Sequence, residues 1–258
     1  MPYRRRGRVL LPVLLLWAIV VLTFQQKNLR SALIGGGGLA WADVSPSLVV
    51  PKTTGENVSW VEELPPYWTP FIYTVDKEPG YPLQSPANRG RESIVFLTFI
   101  IDNYNSLPNI TVFSHAKDIQ WHNDVAGNRT IDNVLNLRVA AVKEKGYVNM
   151  RCHWNPGCPI SVNPLAPTEG DIRIQDMRAS FADIYTHFFN VTRDEVPKAI
   201  GSVCCAQFAV TRERIRARPR EDYVRMRDWS METRLGPGDI GWVFEKIWHI
   251  VFMEEPVL

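Results

Sequence analysis

The sequence predicts an α/β domain with a mainly parallel sheet, carried behind an N-terminal membrane helix. From Ser47 onward, short β-branched runs alternate with helical segments, the pattern of a parallel sheet with crossovers. Polar residues gather where those runs end, which is where open α/β sheets bind ligands. The charge-free run Val9–Phe24, preceded by Arg4, Arg5, Arg6 and Arg8, predicts the membrane helix.

That run is sixteen residues long. As a helix it reaches about 24 Å, against a hydrocarbon core of about 27 Å in a thin early-secretory membrane. Four arginines before it, and only Lys27 and Arg30 soon after, place the N-terminus in the cytosol. The only Ala-x-Ala site near by, Ala40-Trp41-Ala42, lies far from the apolar run, so the segment reads as a retained anchor rather than a cleaved signal peptide. The expected organisation is a cytosolic tail over 1–8, an anchor over 9–24, a flexible stem over 25–46 containing Gly35–Gly38, and a lumenal α/β domain over 47–258. The expectation is a single-pass type II membrane protein of the endoplasmic reticulum or Golgi.

Other features fit a lumenal domain. Acceptor triplets for N-glycosylation begin at Asn57, Asn109, Asn128 and Asn190. Four cysteines, Cys152, Cys158, Cys204 and Cys205, are an even number and suggest two disulfides. Neighbours on a strand point to opposite faces, so Cys204 and Cys205 are expected to pair with Cys152 and Cys158, not with each other. A structural role is favoured over a redox pair. The formal charge of +2 on 258 residues gives no general attraction to nucleic acid.

In order, Ser47–Pro51 reads as a first strand and Val58–Leu64 as a short helix stopped by Pro65-Pro66. Phe71–Asp76 reads as a second strand. Asn88–Glu92 opens a helix whose body, Ser93–Tyr104, is apolar on nearly every side and therefore buried. Ile110–Phe113 is a third strand. Thr130–Lys145 reads as one helix ended by Gly146, followed by a strand from Tyr147 to Arg151. Cys152–Glu169 is an irregular Pro-rich loop. Asp176–Phe189 is helical, Val203–Val210 a strand, and Thr211–Ala217 and Pro219–Glu232 two helices whose seven arginines between Arg212 and Arg227 read as a solvated face. A last helix, capped by Asp239 and running to Met253, is apolar enough to count Trp242 as core.

Three strand ends should then meet at one rim, bringing Lys52-Thr53-Thr54, Asp76-Lys77 and the segment His115–Asp124 together. Imidazole and carboxylate suit Mn²⁺ or another divalent metal, and His115, Asp118 and His122 are the candidate ligands. Arg91, at a helix start, suits an anion. Asp76 and Trp121 are candidate substrate contacts, and Asp124 or Glu92 the candidate general base. Glu245 and His249 share one polar strip of the last helix.

Several segments together resemble a fungal family of single-pass secretory-pathway proteins classed as a domain of unknown function. They are Asn88–Glu92, Ile101–Pro108, Trp121–Asp124, Gly146–Asn149, Cys152–Pro159, Cys204–Val210 and Phe244–Trp248. A second resemblance is to nucleotide-sugar glycosyltransferases of the GT-A type, a Rossmann-like fold. It rests on Leu48-Val49-Val50-Pro51 and Tyr73-Thr74-Val75-Asp76. It implies that Asp76 holds the nucleotide of a sugar donor. The Asp-x-Asp that would hold Mn²⁺ in that family is absent after the third strand. The expected function is transfer of a sugar from a nucleotide donor. The alternatives are a non-catalytic binding or scaffold glycoprotein on a degenerate transferase fold, and a tailoring protein of a fungal secondary-metabolite pathway.

Overall fold

The computed structural model describes residues 45–124 and 126–258. The expected tail, anchor and all but the last two residues of the stem lie outside the described residues. Among the described residues no helix is long and apolar enough to cross a membrane.

Six strands form one sheet: β1 (Ser47–Lys52), β2 (Thr69–Thr74), β3 (Leu83–Gln84), β4 (Ile110–Phe113), β5 (Tyr147–Asn149) and β6 (Phe208–Thr211). Their order is β3-β2-β1-β4-β6-β5. The first four run parallel, with Ser47 of β1 opposite Thr69 on one side and Thr111 on the other. β6 is antiparallel to both β4 and β5. The fold is thus mixed α/β with a mostly parallel sheet.

Alternation along the central strands divides the core in two. Leu48 and Val50 of β1, Val112 of β4 and Ala209 of β6 face Trp60, Trp68, Ile131, Val134 and Val142. Val49, Phe113, Phe208 and Val210 face the other way. That second layer holds α1 (Ser93–Asn103), α5 (Phe181–Phe189), α7 (Arg220–Glu232) and α8 (Pro237–Val251). The first layer holds α2 (Thr130–Leu135) and α3 (Val139–Lys145). Two short helices, α4 (Glu169–Arg173) and α6 (Arg212–Arg216), complete the set.

α1 lies between β1 and the helices α7 and α8, and every residue from Ser93 to Ile101 is buried. Phe96 touches the rings of Phe113, Phe208 and Trp248 at centroid distances of 4.8, 5.9 and 5.9 Å. A helix buried all round has no polar face, which is why its sequence shows little amphipathic period.

The arginine-rich segment is not the solvated face expected. Its guanidinium groups satisfy the carbonyls that helices leave unpaired at their carboxyl ends. Arg216 and Arg220 donate to Tyr104 and Ile101 at the end of α1. Arg214 donates to Lys145 at the end of α3, and Arg225 to His187 and Phe188 at the end of α5. Arg218, nearly buried, donates to Ile250 and Val251 at the end of α8 and also pairs with Asp222. Arg89 does the same at the end of α7, through Thr233 and Leu235.

Other elements differ in detail. The expected helix Thr130–Lys145 is two helices, broken after Leu135 where Asn136 closes α2. The expected helix Val58–Leu64 is a 3₁₀ turn over Ser59–Glu63. The residue at the N-cap of α8 is Gly236, with Pro237 in its first turn, and Trp242 is 41% exposed rather than core. The strand expected from Val203 begins only at Phe208, because Cys205 and Ala206 take positive φ (87° and 41°) and break the extended backbone.

That break also corrects the cysteine expectation. Cys204 and Cys205 are bonded to each other, and Cys152 and Cys158 are free thiols. Side chains on opposite faces follow from an extended strand, and the chain here is not extended.

If the guanidinium clamps hold the layers together, Arg218→Ala leaves two buried carbonyls without their cation and Asp222 with Arg225 alone. Urea unfolding should show a loss on the order of 3 kcal/mol. Arg218→Lys should recover less than half of it, since one ammonium lacks the planar fork that reaches all three acceptors.

Candidate functional site

β1 is the strand at which the order reverses: β2 and β3 lie to one side, β4 and its neighbours to the other. The connection from β1 runs outward to β2, and the one that reaches β4 returns from β3 to the far side of β1, so the end of β1 lies at the switch point and is left uncovered. A cavity of about 370 Å³ opens there. Its wall is Pro51, Lys52, Thr53 and Glu56 beside β1, Val75 after β2, Asn88, Arg91 and Glu92 before α1, and His115, Ala116, Lys117 and Gln120 after β4.

The start of α1 is shaped by two residues in the left-handed region, Gly90 (φ 65°) and Arg91 (φ 53°). A Cβ on Gly90 would press on Ser93 and on Ile240 of α8. The arginine side chain lies over Gly241, where a Cβ would come within 2.9 Å of its Cδ. A glycine of the last helix therefore makes room for Arg91 at the cleft mouth.

Glu92 is the N-cap residue of α1 and is buried. Burial pushes its carboxyl pKa up, and the neighbouring His115 and Arg91 only partly offset that. Its Oε2 lies 3.9 Å from Nδ1 of His115, whose Nε2 is 2.7 Å from the carbonyl oxygen of Cys205. That carbonyl can only accept, so Nε2 carries hydrogen and Nδ1 is turned to the carboxyl group. Glu92 and His115 thus face each other across the cleft wall without a direct hydrogen bond.

His122 packs its ring on His115 at 4.9 Å. It is buried, and its Nδ1 has no hydrogen-bond partner among the described residues. Burial first, then His115 and Arg151, pull its pKa down to about 4. Trp121 is 65% exposed but braced, with the Arg151 guanidinium 4.7 Å from its ring and His122 edge-on at 5.4 Å. It continues the rim beyond Gln120.

Other expected site residues are engaged elsewhere. Asp124 accepts from Arg151 Nε and from the amides of Cys152 and His153. Although burial would raise its carboxyl, these donors hold it below the usual carboxylate range. Asp76 accepts from the Thr54 amide at 2.7 Å, which lowers its pKa and ties the loops after β1 and β2 together. Asp118 pairs with Arg129 and accepts from the Ile131 amide at the start of α2. Glu245 pairs with Lys246, while His249 bonds the carbonyl of Pro256, so these two do not pair.

The expected metal set is therefore not assembled. His115 and His122 are neighbours, but Asp118 is turned to Arg129. Among the described residues no three His, Cys, Asp or Glu side chains are placed to share a cation. The side chains present do not fit a divalent ion as they stand.

Lys52, Lys117 and Gln120, which the sequence placed at the rim without giving them a role, line the wall. Lys52 is buried and forms a short ion pair with Glu78, with its ammonium 4.4 Å from the Tyr81 ring. Burial works against its charge, yet Glu78, Tyr81 and Asp76 outweigh that and raise its pKa. The available signal was a lysine ending an otherwise apolar strand. Arg91 and Lys117 are exposed at the mouth, and neither forms an ion pair among the described residues. Of the glycosylation candidates, Asn57, Asn128 and Asn190 are exposed and Asn109 is half-buried.

A family model described as "Protein of unknown function (DUF3431)" matches residues 48–258. No curated protein and no solved structure matches the chain.

Two histidines make the domain sensitive to acid. His249 is also buried, and burial likewise pulls it down to about 4. Unfolded, each takes a proton near 6.5; folded, only near 4. The stability they contribute is present above pH 6.5 and lost as pH falls toward 4, on the order of 3 kcal/mol each. Glu92, raised by burial, acts in the opposite sense, favouring the fold below its ordinary value and losing that as pH rises. Thermal melts from pH 7 to pH 4 should show the fall, and His122→Gln should flatten it by about half.

Proposed function

Because the chain belongs to the DUF3431 family, whose description assigns no activity, we propose a function from the cleft itself: binding of a diphosphate-bearing sugar donor and transfer of its sugar. The observation that carries the reading is the pair of cations without ion-pair partners, Arg91 and Lys117, at the mouth of a cleft at the carboxyl ends of parallel strands. Unbalanced positive charge at such a crevice suits an anionic ligand. Buried Lys52 adds a third cation, already balanced by Glu78.

In this reading the ribose or base lies toward Asp76 and the β1–β2 side, and the diphosphate lies between Arg91 and Lys117. The acceptor approaches along Trp121, whose braced, exposed ring offers a flat face to a sugar. Glu92 is the general base, acting directly from the cleft wall with His115 beside it. Its raised pKa makes it a better proton acceptor than Asp124, which is held low and occupied by three donors. The acceptor oxygen bonds to the anomeric carbon as the bond to phosphate breaks. The acceptor proton passes to Glu92, and the departing diphosphate keeps its charge beside the two cations. The cations stand where a metal would otherwise neutralise the diphosphate. We place this domain in the lumen of the endoplasmic reticulum or Golgi, tethered through the anchor read at 9–24. The second reading is a binding protein on the same cleft without turnover.

The test is a thermal-shift series with UDP- and GDP-sugars, with and without Mn²⁺, followed by assay for released nucleoside diphosphate. Donor at about a hundred times its Kd should stabilise the domain by about 2.7 kcal/mol. Replacing Arg91 and Lys117 by Ala should weaken binding at least tenfold. Glu92→Gln should keep donor binding while cutting turnover by about a hundredfold or more. Binding without turnover in the parent protein supports the second reading. No stabilisation by any nucleoside diphosphate or its sugar ester removes both.

A further inference from the structure

Outside the cleft, the loop that carries two cysteines packs against the segment that carries the other two. The disulfide Cys204–Cys205 is buried, and Cys152 and Cys158 are thiols in the loop that runs beside it. An antiparallel bridge joins Val162 to Ile200, with the Ile200 amide donating to Val162 and the Val162 amide donating back. Toward lower numbers the two segments stay together, although the register slips: a Cβ on Gly201 would collide with the carbonyl of Pro159 rather than lie opposite Ser161. A Cβ on Gly157 would collide with the carbonyl of Ser202 and lie 3.2 Å from the Cys204 amide nitrogen. Gly157 (φ 122°) is the residue that lets the loop lie flat against residues 202–204.

Arg151 completes the arrangement. Its side chain is 4% exposed, and its Nη1 lies against both sulfurs, in close contact with Cys204 Sγ and 3.3 Å from Cys205 Sγ. A guanidinium at a sulfur lowers the cost of a thiolate there, and a better-stabilised leaving thiolate departs faster.

We infer that Cys158 exchanges with the Cys204–Cys205 disulfide. The Cys158 thiolate attacks Cys204 Sγ, the Cys158–Cys204 bond forms as the Cys204–Cys205 bond breaks, and Cys205 leaves as a thiolate beside Arg151. The proton lost by Cys158 is matched by uptake at Cys205, and no outside oxidant or reductant is needed. Cys152 takes no part. The Cys205 carbonyl oxygen holds His115, so the two disulfide forms differ at an anchor of the cleft. The inference does not depend on what the cleft binds.

Burial also raises the Cys158 thiol, so the exchange should be slow at neutral pH and speed up roughly tenfold per pH unit below that thiol's pKa. The full-length chain, purified without reductant, is held at pH 7.0, 8.0 or 8.5, quenched in acid, and blocked with N-ethylmaleimide. Pepsin digestion and mass spectrometry then read the pairing. The expected result is a peptide pair joining Cys158 to Cys204, with Cys205 blocked, growing with time and pH. It should be absent in Cys158→Ser and unchanged in Cys152→Ser. The inference fails if Cys158 stays fully blocked and Cys204–Cys205 is the only bond at every pH. It fails equally if Cys152 is the residue found joined to Cys204. Both outcomes are read on the parent chain, so neither depends on a variant folding.

Discussion

The constraint on which the structure depends is the position of β1. It stands at the middle of the sheet between β2, to which the chain runs directly from it, and β4, which the chain reaches only after returning from β3. No element can then lie across its carboxyl end, and side chains from four separate stretches of the sequence meet in the gap. Everything proposed for the cleft follows from that topology. α1 serves it as well, because a helix buried from Ser93 to Ile101 has no freedom to shift, and it fixes Glu92 and Arg91 at its start.

The parts that a sequence displays through pattern were legible. β1, β4 and the buried helix between them were visible as β-branched or wholly apolar runs, and the polar residues after Phe113 marked the rim. What pattern does not carry was missed. β3 is two residues long, too short for any period. The break after Leu135 depends on one residue closing a helix within an otherwise helical composition. The pairing of Cys204 with Cys205 follows from two positive φ values that neither residue type announces. Asp124 and Asp118 looked like site carboxylates because their partners, Arg151 and Arg129, lie 27 and 11 residues away and are joined to them only by folding. The arginine segment was misread for a related reason. Its acceptors are backbone carbonyls, which every residue has, so nothing in the composition distinguishes a clamp from a solvated charge.

The cleft combines features that seldom occur in a purely structural surface. A carboxyl group is buried with its pKa raised, an imidazole faces it with its tautomer set by a carbonyl, and exposed cations stand at the mouth. Perturbed titrating groups beside a crevice are a recognised mark of function, though ion-pair networks also produce them. Here Glu92 is shifted by burial first and only moderated by its neighbours, which separates it from Asp124, a carboxylate made inert by the donors around it.

The guanidinium clamps have a consequence for how the domain comes apart. A guanidinium keeps its charge at any pH a cell meets, and a buried one is little screened by salt. The ends of α1 and α5, held by Arg220 and Arg225, are therefore indifferent to acid and brine. The end of α8 is not, because His249 sits beside the carbonyls that Arg218 holds. Mild acid should thus loosen the domain at two places, around His122 and at the end of α8, while the other clamped ends stay joined, so that its first partly unfolded form is patchy rather than uniformly swollen.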